Sequence, residues 1–538
     1  MTRDQILTAL KQDHLFDLLI IGAGATGCGI AVDAAARGFK VALLDKQDIA
    51  EGTSSRSTKL VHGGVRYLEK AVKHLDREQY DLVREGLHER GILLKNAPHL
   101  SNKIIFITPL YKWLDVPMVF AGLKLYDFLS GKMRLGSSRL LSRKETLERF
   151  PAIKAQGLKA SILYYDGQFN DARMAVSLAR TAEQQGAIIG NHIEVVDLLK
   201  ENGKVCGVKA KDTISGASWA IKAKGVINAT GPFSDAIRKM DDPAVEPVIT
   251  VSSGIHIVLD KSFAPPANGL MIPETEDGRV LFVLPWQGHA LVGTTDEPAE
   301  ISDHPRVSDA DIAYLLRHVG NYFNLKPTRT DVKATWSGLR PLVSDPQAVD
   351  TSNLVRDHVI SMSENGLLSI LGGKWTSYRR MAEDTIDQAI IGWRLQAKRP
   401  CSTEQSPIIG GAHYDPRDVQ KLNSSFGFDD EVSNNLNHSY GDQALMLAEE
   451  GREADLNRRL HPNHPYIEAE VLFAARHEFA LRAIDVLARR TPLALIDQSA
   501  SLQVLPRVIE IMAKELGWDQ QRRDTERDLA IRRLEDAL

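Results

Sequence analysis

The run Gly22-Ala23-Gly24-Ala25-Thr26-Gly27, followed later by Asp45, carries the first chemical signal in this chain. Gly22 allows a tight turn, Gly24 lets backbone approach a pyrophosphate, and Gly27 allows close helix–strand packing. Asp45 comes about 20 residues on, where a carboxylate can accept hydrogen bonds from a ribose. The pattern is that of a dinucleotide site. Three further side chains stand in unusual settings. Arg340 lies between Leu339 and Pro341, and Lys374 follows Gly372-Gly373, where backbone crowding is lowest. Cations of fixed geometry hold phosphates, arginine forks best of all. On residues alone, each reads equally as a surface charge or an ion pair. His256, in Gly254-Ile255-His256-Ile257-Val258-Leu259, points opposite to Ile255 and Ile257 if the stretch is a strand. A histidine there can take a proton near neutral pH. By itself a lone strand histidine reads first as a core side chain satisfied by backbone.

The elements that must position these groups are legible nearby. Phe16 to Ile21 is an apolar run that stops at glycine and predicts a buried parallel strand. The alanine-rich stretch Ile30 to Arg37 predicts a helix, Gly38 ends it, and Lys40 to Leu44 predicts a second strand closed by Asp45. The helix N-terminus offers free N–H groups to phosphates. This unit alone does not separate a nicotinamide from a flavin cofactor. Two later features favour a flavin. The hydroxyl-rich loop Gly52 to Lys59 can wrap a second portion of an extended cofactor, and Gly225 to Pro232 reads as a late strand returning to it.

The 538 residues are 43% hydrophobic and 25% charged, which excludes a disordered chain, a fibre and a coiled-coil rod. Lys+Arg 66 against Asp+Glu 70 leaves a net charge of −4, a poor match to bulk nucleic-acid binding. Cys28, Cys206 and Cys401 are spaced too widely for a zinc knuckle or redox pair, so a reducing compartment and no metal site are expected. Met1-Thr2-Arg3-Asp4 lacks the layout of a cleavable signal. Leu18 to Val32 is uncharged but only 15 residues long, short of the ~20 apolar residues of a spanning helix, so no transmembrane segment is expected.

Six blocks in order resemble a known family. Thr53-Ser54-Ser55-Arg56-Ser57-Thr58-Lys59-Leu60-Val61-His62-Gly63-Gly64-Val65-Arg66-Tyr67-Leu68 resembles the signature of FAD-dependent glycerol-3-phosphate dehydrogenases. Asn228 to Pro232, Ser253 to Val258, Gly293 to Asp296, Ser337 to Leu342 and Gly372 to Thr376 match the same family, spanning about residues 15–390. Tyr164 to Gln168 and Asp171 to Arg173 look most like the mitochondrial branch, which carries a calcium-binding extension. No calcium loop of the D-x-[DN]-x-[DN]-G kind occurs here, so a bacterial homologue without calcium regulation is expected.

The resemblance implies FAD as cofactor and oxidation of sn-glycerol 3-phosphate to dihydroxyacetone phosphate, with hydride leaving C2. It implies a general base at His256 and a phosphate clamp of Arg340, Arg356 and Lys374, with Arg66 and Tyr67 nearby. Arg356 departs somewhat from the usual Ser-Arg pairing. For the cofactor it implies Gly22, Ala23, Gly24, Ala25, Thr26, Gly27, Asp45, Thr53, Ser54, Ser55, Lys59, Leu60, His62, Gly63, Gly64, Gly231, Pro232, Gly373, Lys374 and Thr376. Electrons are expected to pass to a membrane quinone, ubiquinone or menaquinone, from a peripheral position on the cytoplasmic side of the inner membrane. A homodimer is compatible with the resemblance. Two other readings use the same residues: an oxidase that gives electrons to oxygen, and a flavin-binding redox sensor without turnover. An amine-oxidising relative would need fewer cations than this clamp.

The fold class expected is α/β: a Rossmann-like FAD-binding domain, an interleaved mixed-sheet substrate domain of the FAD-dependent amine oxidase-like kind, and a C-terminal helical cap domain. The cofactor domain takes residues 1–100, 166–244 and 346–399, a substrate or membrane-facing segment takes 101–165, and the substrate domain takes 245–345. Pro109 to Leu129 is apolar with aromatics and is followed by Lys132, Arg134, Arg139, Arg143 and Lys144. That mixture fits an interfacial helix and equally a helix packed on the substrate domain. Residues 400–538 keep helical spacing and form the cap, with a charged, solvated helix from Asp519 to Leu538 and no chemistry visible in it.

Overall fold

A computed structural model describes residues 1–12, 14–64, 77–272, 275, 279–343 and 358–536. The glycine turn sits at the centre of an eight-stranded sheet. Leu15–Ile21 pairs in parallel with Val41–Leu44 on one side and Ser218–Asn228 on the other. Ile188–Gly190 and Leu367–Gly372 extend the parallel run, and His358–Met362 closes one edge antiparallel. The central strands are continuous apolar runs because helices cover them: Val41–Leu44 is buried at every position. Helix Ala25–Ala36 packs between Asp171–Gln184 and Tyr378–Trp393. It begins five residues before the predicted stretch, because its first turn is the phosphate-facing one. Ile193–Glu201 and Lys204–Asp212 form an antiparallel extension on Ser218–Asn228.

The second sheet has ten strands drawn from two distant parts of the chain. Ser101–Leu110 and Ala160–Phe169 pair antiparallel along their whole lengths. Asn268–Ile272 then lies parallel to Ser101–Leu110 and joins them to the meander of Leu281–Trp286, His289–Gly293, Ile249–Leu259 and Ala334–Val343. Leu60–Val61 pairs with Gln168 and Gly167 on the opposite edge. The strands of 101–165 and 245–345 therefore share one sheet, and Ala160–Phe169 runs straight through residue 165.

The C-terminal part is helical, from Asp418–Phe426 to Gln520–Glu535. Its last helix is not simply solvated. Glu526, Ala530 and Leu534 are buried, and Glu526 pairs with Arg482 and Arg522. The cap also reaches the nucleotide sheet through buried charge. Asp48 accepts from Arg490 at 2.5 and 3.0 Å and from Arg489 at 2.6 Å, and Glu478 takes both Nη atoms of Arg173 at 2.6 and 2.8 Å. Asp48, His192 and Asp485 lie within 4.8 Å of one another, but arginines and Asn191 occupy the two carboxylates.

Candidate functional site

A cleft of about 1520 Å³, counting its open mouth, runs along the carboxyl ends of the parallel strands. That is where ligands bind in open α/β sheets. Gly22, Gly24, Ala25, Thr26, Asp45, Thr53, Ser54, Gly231, Pro232, Gly373 and Lys374 line it. The local reason for glycine is steric. Gly22 has φ +101°, and a Cβ there would meet the Ala229 carbonyl oxygen at 2.7 Å. A Cβ on Gly27 would lie 1.7 Å from the Gly22 oxygen. The Ala25 amide, at the helix start, donates to Ser54 Oγ at 2.9 Å and ties the turn to the hydroxyl-rich loop.

Asp45 is oriented by its neighbours. The Ala23 amide donates to one oxygen at 2.7 Å and the Gln47 amide to the other at 2.9 Å. Burial pushes the Asp45 carboxyl up to about 6, with Glu51 and Asp48 adding to the shift and the two amides opposing it.

Several expected cofactor residues do not line the cleft. Lys59 does not line it. Its ammonium is fully buried on Ser55 O at 2.6 Å and on both Asp171 oxygens at 2.7 and 2.9 Å, over the Trp286 and Trp336 rings. Asp171 also accepts from the Ser57 amide and hydroxyl. Lys59 thus fixes the 53–58 loop from behind. The Thr376 hydroxyl donates to the His62 carbonyl at 3.2 Å, and the Gly63 amide donates to the Tyr126 hydroxyl at 2.8 Å. Ala23, Gly27, Ser55, Leu60 and Gly64 are likewise absent from the cleft wall.

The histidine and the arginine come from paired strands. His256 is 2% exposed, stacks on Trp336 with centroids 5.2 Å apart, and shares a 2.9 Å hydrogen bond between Nε2 and Thr58 Oγ1. Its Nδ1 is buried without a hydrogen-bond partner among the described residues. Burial, then the positive charges of Arg340 and Lys59, hold its pKa well below the usual histidine value. The opposite face, Ile255 and Ile257, is core. The Arg340 guanidinium spans Thr294 Oγ1 and Thr295 O at 3.0 Å each and Asp296 Oδ1 at 3.1 Å. Gly254 makes room for it: a Cβ there would lie 2.2 Å from Arg340 Nη2. Arg66, Tyr67 and Arg356 lie outside the described residues.

Other wall residues were not among those expected at the cofactor. Trp375 spans 321 positions to donate from Nε1 to Ser54 O at 2.8 Å. Gln47, Glu194 and Val195 form the far end beyond Asp45, and Arg56, Phe233 and Leu339 complete the sides. Arg56, Leu339 and Trp375 each stood in a recognisable block without being singled out there; Gln47, Glu194, Val195 and Phe233 stood in none.

A turn that excludes side chains, a helix N-terminus behind it and a carboxylate at the second strand fit the pyrophosphate and ribose of FAD. The fold and the cleft define an FAD-dependent oxidoreductase, and the family model described as FAD dependent oxidoreductase matches residues 17–379. Residues 401–523 match the model described as the C-terminal domain of alpha-glycerophosphate oxidase. The chain is 45% identical to the mitochondrial glycerol-3-phosphate dehydrogenase of Mus musculus over 99% of its own length and 75% of that protein. It is 42% identical to the mitochondrial enzyme of Arabidopsis thaliana over 98% of this chain and 87% of that one. The crystal structure of the glycerol-3-phosphate dehydrogenase from Bacillus halodurans, complexed with FAD, superposes with a TM-score of 0.81 at 29% identity, covering 99% of this chain and 97% of that one. The chain belongs to the FAD-dependent glycerol-3-phosphate dehydrogenases, on the side of the mitochondrial-type enzymes.

Proposed function

We propose that the protein oxidises sn-glycerol 3-phosphate to dihydroxyacetone phosphate and passes the electrons to a membrane quinone. The observation that carries this reading is the 45% identity, over nearly the whole chain, to an enzyme named for that substrate. FAD, when bound, supplies the acceptor for the hydride that leaves C2. The protein's side chains do the rest. Arg340 and Lys374 hold the phosphate dianion, with Arg66, Tyr67 and Arg356 completing the substrate set. Arg340 is already oriented by Thr294, Thr295 and Asp296. His256 takes the proton from the C2 hydroxyl. It enters the reaction neutral, because burial and nearby cations disfavour the imidazolium. The substrate's phosphate, once bound, offsets that positive charge and makes proton uptake easier. Trp336 and Thr58 fix the ring while this happens.

The membrane side of the proposal rests on the helix Asp115–Leu129 and its approach. Leu114 is 91% exposed and Phe128 75%, with Trp113 and Met118 also exposed. Lys112, Lys132, Arg134, Arg139 and Arg143, which flank the helix in sequence, are exposed too. Exposed apolar and aromatic side chains in a stretch flanked by exposed cations suit the interface of an anionic bilayer. No helix among the described residues is long and apolar enough to cross a membrane. In this reading the enzyme is peripheral, on the cytoplasmic face of the inner membrane, and a homodimer is compatible with it.

The description of the 401–523 match gives oxygen a place as the alternative acceptor. Steady-state turnover separates the two. Rapid turnover with a soluble quinone and little hydrogen peroxide in air is the expected result. Peroxide formed one for one with substrate consumed would replace quinone by oxygen.

A further inference from the structure

Arg56 stands on the wall of the cofactor cleft and is only 6% exposed. It follows Ser54, the loop hydroxyl tied to the start of the glycine-turn helix. Its guanidinium makes two long hydrogen bonds, both 3.4 Å, to the carbonyls of Asp303 and Ser337. It makes no ion pair among the described residues. Other buried arginines in this chain are closed by carboxylates: Arg90 by Asp166 at 2.9 Å, Arg379 by Glu89 at 2.6 Å, Arg173 by Glu478 at 2.6 Å. A buried charge without a partner is costly, so a missing counter-ion calls for explanation.

The two acids that face Arg56 are engaged elsewhere. Glu51 is held by Arg489 at 3.2 Å and Arg533 at 3.3 Å, both from the C-terminal helical domain. Asp303 is held by Lys46 at 2.5 Å. Burial, with Arg533 and Arg489 close by, pushes the Arg56 guanidinium down to about 10, so it stays charged at neutral pH. The cap therefore leaves Arg56 without a carboxylate partner among the described residues, on a wall where a ligand's negative charge would complete it.

We propose that Arg56 is a ligand for the diphosphate of the bound cofactor, and that Arg489 and Arg533 position it by holding Glu51 away from it. This rests on the reading of the cleft as the FAD site. It makes the C-terminal domain a working part of cofactor binding.

The test is titration of apoprotein with FAD and, separately, with ADP, which keeps the adenosine and diphosphate and lacks the flavin. Arg56→Met should raise the Kd of both by roughly ten- to a hundredfold, as for a lost charge-assisted hydrogen bond. Arg56→Lys should recover part of that loss. Arg533→Gln should weaken both ligands several-fold by freeing Glu51, and adding Glu51→Gln should restore them. The KM for sn-glycerol 3-phosphate at saturating FAD should not move. Apoprotein carrying Arg56→Met should resist urea at least as well as wild type, because an uncompensated cation has been removed. A structural role predicts the reverse. Weaker FAD with unchanged ADP would overturn the assignment, and so would a raised KM with unchanged cofactor affinity. Wild-type apoprotein that takes up no FAD would instead overturn the cleft reading itself.

Discussion

Replacing Lys59 by Met tests whether the hydroxyl-rich loop is held from behind by a buried ion pair. Met keeps the length and apolar bulk of the stem and removes only the ammonium. Lys59 and Asp171 have side-chain exposures of 0% and 1%, so the carboxylate left without its partner gains almost nothing from water. Breaking a buried pair by removing one partner costs about 3–5 kcal/mol. Asp171 keeps three donors: the Ser57 amide at 3.2 Å, the Ser57 hydroxyl at 2.7 Å and the Ala172 amide at 2.7 Å. These offset part of the loss and place the expected destabilisation at about 3 kcal/mol, the lower end of that range. Ser55 O also loses its 2.6 Å donor, so the loop should loosen and FAD should bind more weakly. Urea unfolding followed by circular dichroism reads the first effect, and FAD fluorescence titration reads the second. Lys59→Met combined with Asp171→Asn should regain stability, because no buried charge is left alone. A loss under about 1 kcal/mol, or a double variant no better than the single, would contradict the ion-pair account.

Gly27→Ala should lower stability by about 1–3 kcal/mol and reduce FAD content, since the new Cβ would lie 1.7 Å from the Gly22 oxygen. Purified protein would be assayed for flavin per chain. FAD affinity should fall as pH drops through about 6, where Asp45 gains a proton in the cofactor-free protein and stops acting as a full acceptor for ribose hydroxyls. Asp45→Asn should flatten that pH dependence in the same titration. Leu114→Glu with Phe128→Glu should abolish co-sedimentation with anionic vesicles while leaving turnover with a soluble quinone intact, because both side chains are exposed.

The parts of the site that were legible in the sequence are those encoded over short stretches. Gly22, Gly24, Gly27 and Asp45 lie within one strand–turn–helix–strand unit, and Gly27 answers a steric demand set inside it by the Gly22 oxygen, while Gly22 itself is pressed by Ala229 from far along the chain. The alternation around His256 likewise gave the face of its strand, with Ile255 and Ile257 turned to the core. What stayed hidden depends on partners far away in the chain. Nothing near Asp48 announces Arg490, 442 residues on, and nothing near Ser54 announces the Trp375 indole. Lys59 carried the right motif for a cofactor loop, but only the fold shows its ammonium turned to Asp171. The last helix looked solvated because its charges outnumber its apolar residues; Glu526 is buried nonetheless, paired with arginines the pattern could not assign. The 101–165 segment looked separate from 245–345 because a parallel pairing between Ser101–Leu110 and Asn268–Ile272 leaves no local trace.

The central claim is that this protein takes electrons from sn-glycerol 3-phosphate with His256 as the base. Anaerobic stopped-flow absorbance of the FAD-loaded protein mixed with that substrate tests it most directly. Rapid bleaching of the flavin band in wild type, slowed by orders of magnitude in His256→Ala protein that still holds FAD, is the predicted result. A flavin band that stays oxidised in folded, loaded wild-type protein would contradict the substrate, and equal bleaching rates in the two proteins would contradict the base.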